Sequence, residues 1–331
     1  MIPVKRYPTL ATLKHTTYRL VSSSQQSSIP VPWGVVATVQ WTIGHGPYTD
    51  WIAVHGLLDN AGTFNKLVPC LPPGTRVTCL DLPGHGLSSA LPPGCLYHWL
   101  DHVITLERVR TFLQLDRPVL LGHSMGGWIC GLYASVLPKN VRAFISIDGI
   151  KPISRFPEGM IPRIREYYKT LEKLETKKIA KEMSAEEAFQ KLYTGTNILH
   201  GEGSITEEAA KCLLERGIKK SEDGTGFVFT RDIKHVLKDL YGVPHEFNLE
   251  FARGITCPHL LVRASADNAA TSWGKEKEAM EEVINIYKNN KSFTLAEVTG
   301  SHHVHLNDAE KVLPLISNFL VKHQLTYNKE E

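Results

Sequence analysis

The chain of 331 residues is 42% hydrophobic and 21% charged, with a formal net charge of +3. This composition supplies enough apolar side chains for a sizeable core and differs from that of a disordered chain. Because basic residues are interspersed with acidic ones and the net charge is small for this length, nucleic acid is not expected as a partner.

Strand and helix patterns alternate from Val31 to about Gly149. The predicted strands are WGVVATVQWTI, DWIAVHG, TRVTCLDL, PVLL and VRAFISID. The predicted helices are AGTFNKLVPCL, LYHWLDHVITLERVRTFLQL and the segment after Met125, and the stretch SSSQQSS is predicted to be a loop. Alternation of this kind favours a mostly parallel sheet covered by helices on both faces.

The composition changes at about Lys151, where a long segment rich in Lys, Glu and Arg begins. It extends to Arg253 and has helical periodicity, which predicts several solvated amphipathic helices. Alternation resumes with the strands HLLVRAS and SFTLAEV and ends with the helix AEKVLPLISNFLVKH. We therefore expect one α/β domain formed by residues 1–150 and 254–331. Residues 151–253 are expected to form a helical cap inserted over the carboxyl edge of its sheet.

The six cysteines are scattered, without a CxxC pair or metal-ligand spacing. This favours reduced thiols and a cytoplasmic location. The N-terminal segment lacks the basic start and unbroken apolar stretch of a secretory signal. No apolar run is long enough to cross a bilayer, so stable membrane insertion is not expected.

Ser124 stands in the motif GHSMGG, where an apolar run changes its period. Pro118 to Leu121 has the pattern of a short buried strand, whereas the apolar residues after Met125 recur at helical spacing. A serine on such a strand-to-helix turn, with a glycine two residues away on either side, matches the G-x-S-x-G nucleophile elbow. Ser124 is therefore a candidate nucleophile, and a serine hydroxyl needs a base to take its proton.

Three histidines that could serve as this base lie in VTGSHHVHLNDAE, between the last predicted strand and the last predicted helix. His302 is preferred because it directly follows a Gly-Ser turn and can point toward the strand ends. His303 and His305 remain alternatives. A metal site is not expected here, because no carboxylate or cysteine accompanies these histidines at ligand spacing.

Two aspartates could orient the histidine. Asp148 ends the predicted strand VRAFISID, and Asp267 follows the predicted strand HLLVRAS. Both are expected at the carboxyl edge of the sheet, where open α/β sheets carry their functional residues. One of the two must instead be a loop or cap aspartate that binds backbone amides, and the residues alone leave the choice open.

Two backbone amides are expected to stabilise an oxyanion. The amide of Met125 follows the serine directly and is one donor by construction of the elbow. The amide of Leu57, in the loop after WIAVHG, is the expected second donor. The stretch DLPGHGLSS is a tight glycine turn after a strand and is interpreted as scaffold.

The order of HG after a strand, DLPGHGLSS, GHSMGG and GSHHVHL resembles the α/β-hydrolase superfamily. More narrowly, VPWGVVATVQW, HGLLDNAGTF and the insertion's LLERGIKK and GFVFTRD are similar to the animal serine hydrolase-like, or kraken-type, proteins. The resemblance covers nearly the whole chain from about Val31. It implies a hydrolase with Ser124 and a histidine matching His302. It also favours Asp148 over Asp267, because these proteins carry an aspartate at the earlier strand end.

These features predict an enzyme that hydrolyses an ester or thioester of a small or lipid-like molecule through an acyl-serine intermediate, with no cofactor. The dehalogenases and epoxide hydrolases of the superfamily use an aspartate nucleophile, so Ser124 argues against both. Two alternatives remain open. One is a carbon–carbon bond hydrolase or lyase with the same triad, and the other is a non-catalytic protein that binds a small molecule in the hydrolase pocket.

Overall fold

An eight-stranded sheet lies at the centre of the computed structural model, which describes residues 22–176, 182–237, 242–265 and 274–325. The strands are, in chain order, β1 (Ser22–Val31), β2 (Gly34–Ile43), β3 (Thr49–Val54), β4 (Thr75–Leu80), β5 (Val119–His123), β6 (Ala143–Ile147), β7 (Ser154–Arg155), β8 (Ile218–Lys220), β9 (Phe227–Phe229), β10 (Val243–Pro244), β11 (His259–Ala264) and β12 (Phe293–Val298). The sheet has the order β1-β2-β4-β3-β5-β6-β11-β12. Within this sheet, β4, β3, β5, β6, β11 and β12 are parallel to one another. At one edge, β2 pairs with β4 in antiparallel orientation, and β1 pairs with β2 in the same way.

Helices lie between these strands and after the last of them. They are α1 (Trp99–Phe112), α2 (Met125–Val136), α3 (Met160–Glu175), α4 (Ala185–His200), α5 (Glu207–Gly217), α6 (His245–Gly254), α7 (Gly274–Tyr287), α8 (Val304–Asn307) and α9 (Ala309–Lys322). Within the described ranges, none of them combines the length and the apolar character that crossing a bilayer requires.

The side chains of the central strands alternate between two hydrophobic clusters on opposite faces of the sheet. In β3, Ile52 and Val54 join the cluster that contains α1 and α2, whereas Trp51 and Ala53 join the cluster that contains α9. This alternation follows from the two-residue repeat of a strand. It confirms the predicted mostly parallel sheet with helices on both faces.

The stretch SSSQQSS is not a loop, as predicted, but belongs to β1. All ten residues of β1 pair with β2 in continuous antiparallel register. Most of its side chains are exposed, and Ile29 is the one that is buried. Backbone pairing at a solvated sheet edge needs no apolar pattern, so the polar composition concealed this strand.

The prediction of one helix for AGTFNKLVPCL is also wrong. The structure has two short 3-10 helices there, Ala61–Phe64 and Val68–Cys70. Pro69 lacks the amide that a continuous α-helix would need. At Gly62 the backbone lies against α5, and a Cβ atom there would be 2.5 Å from the Cys212 carbonyl oxygen. The segment therefore follows the surface of α5 instead of forming a regular helix.

The segment 151–253 contains α3, α4, α5 and most of α6, together with an antiparallel pair formed by β8 and β9. A buried ion pair joins this segment to the turn after β4, because Arg216 Nη2 lies 2.6 Å from Asp81 Oδ2. Asp81 also accepts hydrogen bonds from the amides of Ala61 and Leu87. DLPGHGLSS thus has the structural role that was predicted, and it also anchors the segment 151–253.

Candidate active site

Ser124 occupies the turn between β5 and α2 with backbone angles φ 51° and ψ −119°. A non-glycine residue adopts such angles only when its surroundings hold it there. The Ser124 amide donates to the Ile147 carbonyl oxygen of β6 at 2.9 Å, and its carbonyl accepts from Gly127 and Trp128. The turn therefore presents the hydroxyl at the carboxyl edge of the sheet and at the N-terminus of α2, where amide dipoles favour negative charge.

Small residues surround this turn because backbone segments meet there. A Cβ atom at Gly122 would lie closer than 3.0 Å to backbone atoms of Gly126 and Gly127. A Cβ atom at Gly126 would lie equally close to the carbonyl groups at the end of β3. The glycines at both ends of the G-x-S-x-G motif are thus required by the close approach of β5, α2 and β3.

His302 forms a hydrogen bond with Asp148. The His302 Nδ1 donates to Asp148 Oδ2 at 2.6 Å, and the Ala264 amide donates to Asp148 Oδ1 at 3.1 Å. Burial by itself would raise the pKa of Asp148, but the hydrogen bond and positive charge that His302 can supply outweigh it, and the pKa lies below its usual value. Asp148 is therefore an ionised acceptor, and its hydrogen bond favours the tautomer of His302 that carries a hydrogen on Nδ1.

The Nε2 atom of His302 is buried and has no hydrogen-bond partner among the described residues. The bond between this atom and the Ser124 hydroxyl is therefore not made in this conformation. Such bonds are often long or absent before a substrate binds. The position of His302 is nevertheless tied to the elbow, because His123 Nε2, on the residue before Ser124, donates to the His302 carbonyl oxygen at 3.0 Å.

The other candidates have different surroundings. His303 Nε2 lies 3.3 Å from Asp59 Oδ2, and His305 Nε2 lies 2.9 Å from the Thr63 hydroxyl. Neither forms the hydrogen bond with Asp148 that His302 makes. Asp267, the alternative acid, lies outside the described residues.

The amides of Leu57 and Met125 have no hydrogen-bond partner in the part of the chain that the structure describes. Two histidines hold the loop of Leu57. His55 Nε2 accepts from the Leu82 amide at 2.9 Å, and His85 Nε2 accepts from the Leu58 amide at 3.3 Å. Burial lowers the pKa of both histidines, so both remain neutral acceptors. The loop after β3 and the turn after β4 thus fix each other in place.

Histidine 200 was not predicted as a site residue. It is the last residue of α4, and its ring stacks on that of His302 with centroids 4.3 Å apart and planes inclined by 17°. Burial and the nearby His302 and His303 lower its pKa to about 2, so this ring is neutral. Nothing in the local sequence marks it, because the contact depends on where the segment 151–253 folds back onto the sheet.

Asp59, His123 and His303 are the described residues whose donor atoms could jointly hold a metal ion. One donor atom from each lies within 4.8 Å of the others. The three residues lie next to the candidate catalytic groups along the chain, and all three are buried. Sequence spacing could not reveal the group, because its members come from three separate parts of the chain: the loop after β3, the last residue of β5 and the loop after β12.

Comparisons with known proteins identify the fold and the family of this chain. Residues 52–180 match the family model of the alpha/beta hydrolase fold. A serine hydrolase-like protein of Danio rerio is 30% identical over 95% of this chain and 94% of its own length. A probable serine hydrolase of Drosophila melanogaster is 30% identical over 90% of this chain and 88% of its own. A crystal structure of a hypothetical protein from Pseudomonas aeruginosa superposes with a TM-score of 0.73, at 28% identity, and covers 89% of this chain and 99% of that one.

The sheet, the elbow and these relatives define an α/β hydrolase. Within that superfamily, the chain belongs to the serine hydrolase-like proteins, as the resemblance in its motifs predicted.

Replacing Gly126 with alanine tests the close approach at the elbow. Because the new methyl group would overlap the carbonyl groups that end β3, we expect Gly126→Ala to lose about 3 kcal/mol or more of unfolding free energy. Gly195→Ala is the matched control, since Gly195 lies in α4 with no atom within 4 Å of its added Cβ. This control should gain about 0.5 to 1 kcal/mol. Urea unfolding followed by circular dichroism measures both, and a Gly126→Ala protein of wild-type stability would contradict the packing described.

Proposed function

We propose that the chain is a serine hydrolase that cleaves an ester or thioester through an acyl-serine intermediate. One observation carries this proposal: the hydrogen bond of 2.6 Å between His302 and Asp148 lies at the same sheet edge as the strained Ser124 turn. The pair supplies an oriented base and the turn supplies a hydroxyl, while the amides of Leu57 and Met125, which have no hydrogen-bond partner among the described residues, could serve as oxyanion donors. These are the parts that acyl transfer requires.

In the proposed first step, the Ser124 hydroxyl attacks the substrate's carbonyl carbon while its proton moves to His302 Nε2. Asp148 keeps the proton on Nδ1 and stabilises the imidazolium that forms. The oxyanion accepts hydrogen bonds from the amides of Leu57 and Met125. Return of the proton from His302 to the leaving alcohol or thiol gives the acyl-serine.

The second step repeats this chemistry with water. His302 takes a proton from the water as it attacks the acyl-serine, and the Ser124 oxygen leaves with that proton. The products are a carboxylic acid and the free enzyme. No step of this scheme uses a metal or an organic cofactor.

We also propose that the segment 151–253 is a cap that covers this site and helps to select the acyl group. The stacking of His200 on His302 supports this, because it brings the end of α4 directly over the candidate base. A second attachment supports it as well, since Ser301 Oγ donates to the Ser204 carbonyl oxygen at 2.9 Å. A small or lipid-like substrate would then enter between the cap and the edge of the sheet.

Ser124→Ala tests the proposed nucleophile. Loss of the nucleophile of a catalytic triad lowers turnover on the order of a million-fold, so hydrolysis of p-nitrophenyl esters should fall to background. A fluorophosphonate probe should label the wild-type protein rapidly and the variant not at all. Ser317→Ala, which changes a serine of α9 remote from the site, should be labelled like the wild type. A wild-type protein that is inert to the probe and to esters of every chain length would favour the non-catalytic binding protein.

The two aspartates are distinguished by a pair of asparagine variants. Asn at position 148 would no longer fix the tautomer of His302, and the corresponding change in a serine protease costs about ten-thousand-fold in turnover. We therefore expect Asp148→Asn to be slower by roughly that factor in ester hydrolysis at neutral pH, and Asp267→Asn to lose at most about tenfold. The reverse order of rates would assign the acid to Asp267. Two mild losses would mean that neither aspartate acts alone.

A further inference from the structure

A carboxylate and two imidazoles meet behind the candidate nucleophile. The Asp59 Oδ2 atom lies 3.5 Å from His123 Nδ1 and 3.3 Å from His303 Nε2. The side chain of Asp59 is 6% exposed, and those of the two histidines are 1% exposed. An ionised carboxylate this deeply buried requires a positive partner, either a proton on a histidine or a metal ion.

The hydrogen bonds of His123 show which of its ring nitrogens carries the proton. Its Nε2 lies 3.0 Å from the His302 carbonyl oxygen, which can only accept, so Nε2 carries the hydrogen. The lone pair of Nδ1 then faces the carboxylate of Asp59, and this atom has no hydrogen-bond partner among the described residues.

His303 has a comparable arrangement. Its Nδ1 lies 3.2 Å from the hydroxyl of Ser204, which can accept a proton from it, and its Nε2 faces Asp59. Each of the two histidines thus has one nitrogen within hydrogen-bond distance of an oxygen atom, the His302 carbonyl or the Ser204 hydroxyl, and the other directed at the same carboxylate. Histidines that bind metals have this arrangement, because the outer hydrogen bond orients the ring and raises its basicity.

The carboxylate has two other possible partners. The Thr63 hydroxyl donates a hydrogen bond to Asp59 Oδ2 at 3.4 Å, but it carries no positive charge. Arg231 of the segment 151–253 is a cation, yet its guanidinium lies over the ring of Phe229 at 4.6 Å and forms no ion pair with Asp59 in the described part of the chain. The carboxylate therefore has the two histidines and the Thr63 hydroxyl as its immediate neighbours.

The two distances from Asp59 Oδ2 to the histidine nitrogens fit a small tetrahedral cation. Bonds of about 2.0 to 2.2 Å to Zn²⁺ give edges of about 3.3 to 3.5 Å between ligand atoms of a tetrahedron. The two measured edges from Asp59 Oδ2 have these lengths. Gly56 leaves room beside them, since a Cβ atom there would stand 3.0 Å from His123 Nδ1 and 3.3 Å from Asp59 Oδ2.

We propose that Asp59, His123 and His303 bind one Zn²⁺ ion through Asp59 Oδ2, His123 Nδ1 and His303 Nε2. The sequence pattern argued against a metal because no carboxylate accompanies the histidines at ligand spacing. The fold supplies the carboxylate from the loop after β3. Two nitrogens and one oxygen form a donor set that suits Zn²⁺.

The position of the three ligands gives this ion a structural role. Asp59 lies two residues after Leu57, His123 directly precedes Ser124, and His303 directly follows His302. The ion would therefore link the three segments that carry the proposed oxyanion donor, nucleophile and base: the loop after β3, the end of β5 and the loop after β12. Since the metal binds the folded protein and not the separated segments, it stabilises the fold and holds these segments in register.

Metal content and titration test the proposal. We expect the purified wild-type protein, stripped with a chelator and titrated with Zn²⁺ in a calorimeter, to bind one ion per chain with high affinity. Asp59→Asn and His303→Gln should each bind it at least about 100-fold more weakly, since changes to mere outer partners of metal ligands already cost 10- to 100-fold. His200→Gln is the control. It removes a histidine whose ring lies 5.5 Å from that of His303 but which is not a proposed ligand, so this variant should bind Zn²⁺ like the wild type.

A second measurement needs no variant and guards against variants that fail to fold. Co²⁺ bound by the wild-type protein should give the intense visible absorption of a four-coordinate site, and added Zn²⁺ should abolish it. Zn²⁺ should also raise the Tm of the stripped wild-type protein. A folded wild-type protein that binds neither ion at one equivalent, or an Asp59→Asn protein that binds Zn²⁺ unchanged, would overturn the proposal. Fluorophosphonate labelling of Ser124 in the same samples tests the hydrolase separately.

Discussion

The backbone of Ser124, with φ 51° and ψ −119°, is the constraint on which the site depends. A serine can hold these angles only because β5 and α2 are clamped between β3 and β6. That clamp leaves no space for side chains at Gly122 and Gly126, and a Cβ atom at Gly149 would meet the Ser124 carbonyl oxygen. The same turn brings the Met125 amide and the Ser124 hydroxyl to the edge where Asp148 follows β6. The arrangement of the proposed nucleophile, oxyanion donor and acid thus follows from one strained turn.

Three contacts join the segment 151–253 to the part of the protein that carries the site. The Arg216 and Asp81 ion pair is buried, so loss of either partner would leave an uncompensated charge. The Asn60 side chain donates to the Leu213 carbonyl oxygen at 2.8 Å, close to the loop of Leu57. Together with the stack of His200 on His302, these contacts couple the position of the segment to that of the candidate base. A change in the insertion should therefore affect the geometry of the site as well as access to it.

The parts of this structure that could be predicted from sequence are those with a local signature. The turn at Ser124 combines a change of period with two glycines, and the parallel strands have continuous apolar runs. The edge strand β1 and the irregular segment after Asn60 lack such a signature, because pairing with β2 and contact with α5 determine them. The cluster of Asp59, His123 and His303 has no local signature, since its members are distant in sequence and come together only in the folded chain. His302 could be preferred to His303 and His305 from sequence because it directly follows a Gly-Ser turn. Its hydrogen bond with Asp148 could not be predicted in the same way, because it joins the loop after β12 to the residue that follows β6.

A crystal structure of the protein after reaction with an alkyl fluorophosphonate tests the central claim most directly. The adduct is a stable tetrahedral mimic of the acyl-transfer intermediate, so it reports the nucleophile, the base and the oxyanion donors together. The account predicts that phosphorus is bonded to Ser124 Oγ and that the phosphonyl oxygen lies about 3 Å from the amide nitrogens of both Leu57 and Met125. An adduct on another residue, or an oxygen turned away from both amides, would contradict it.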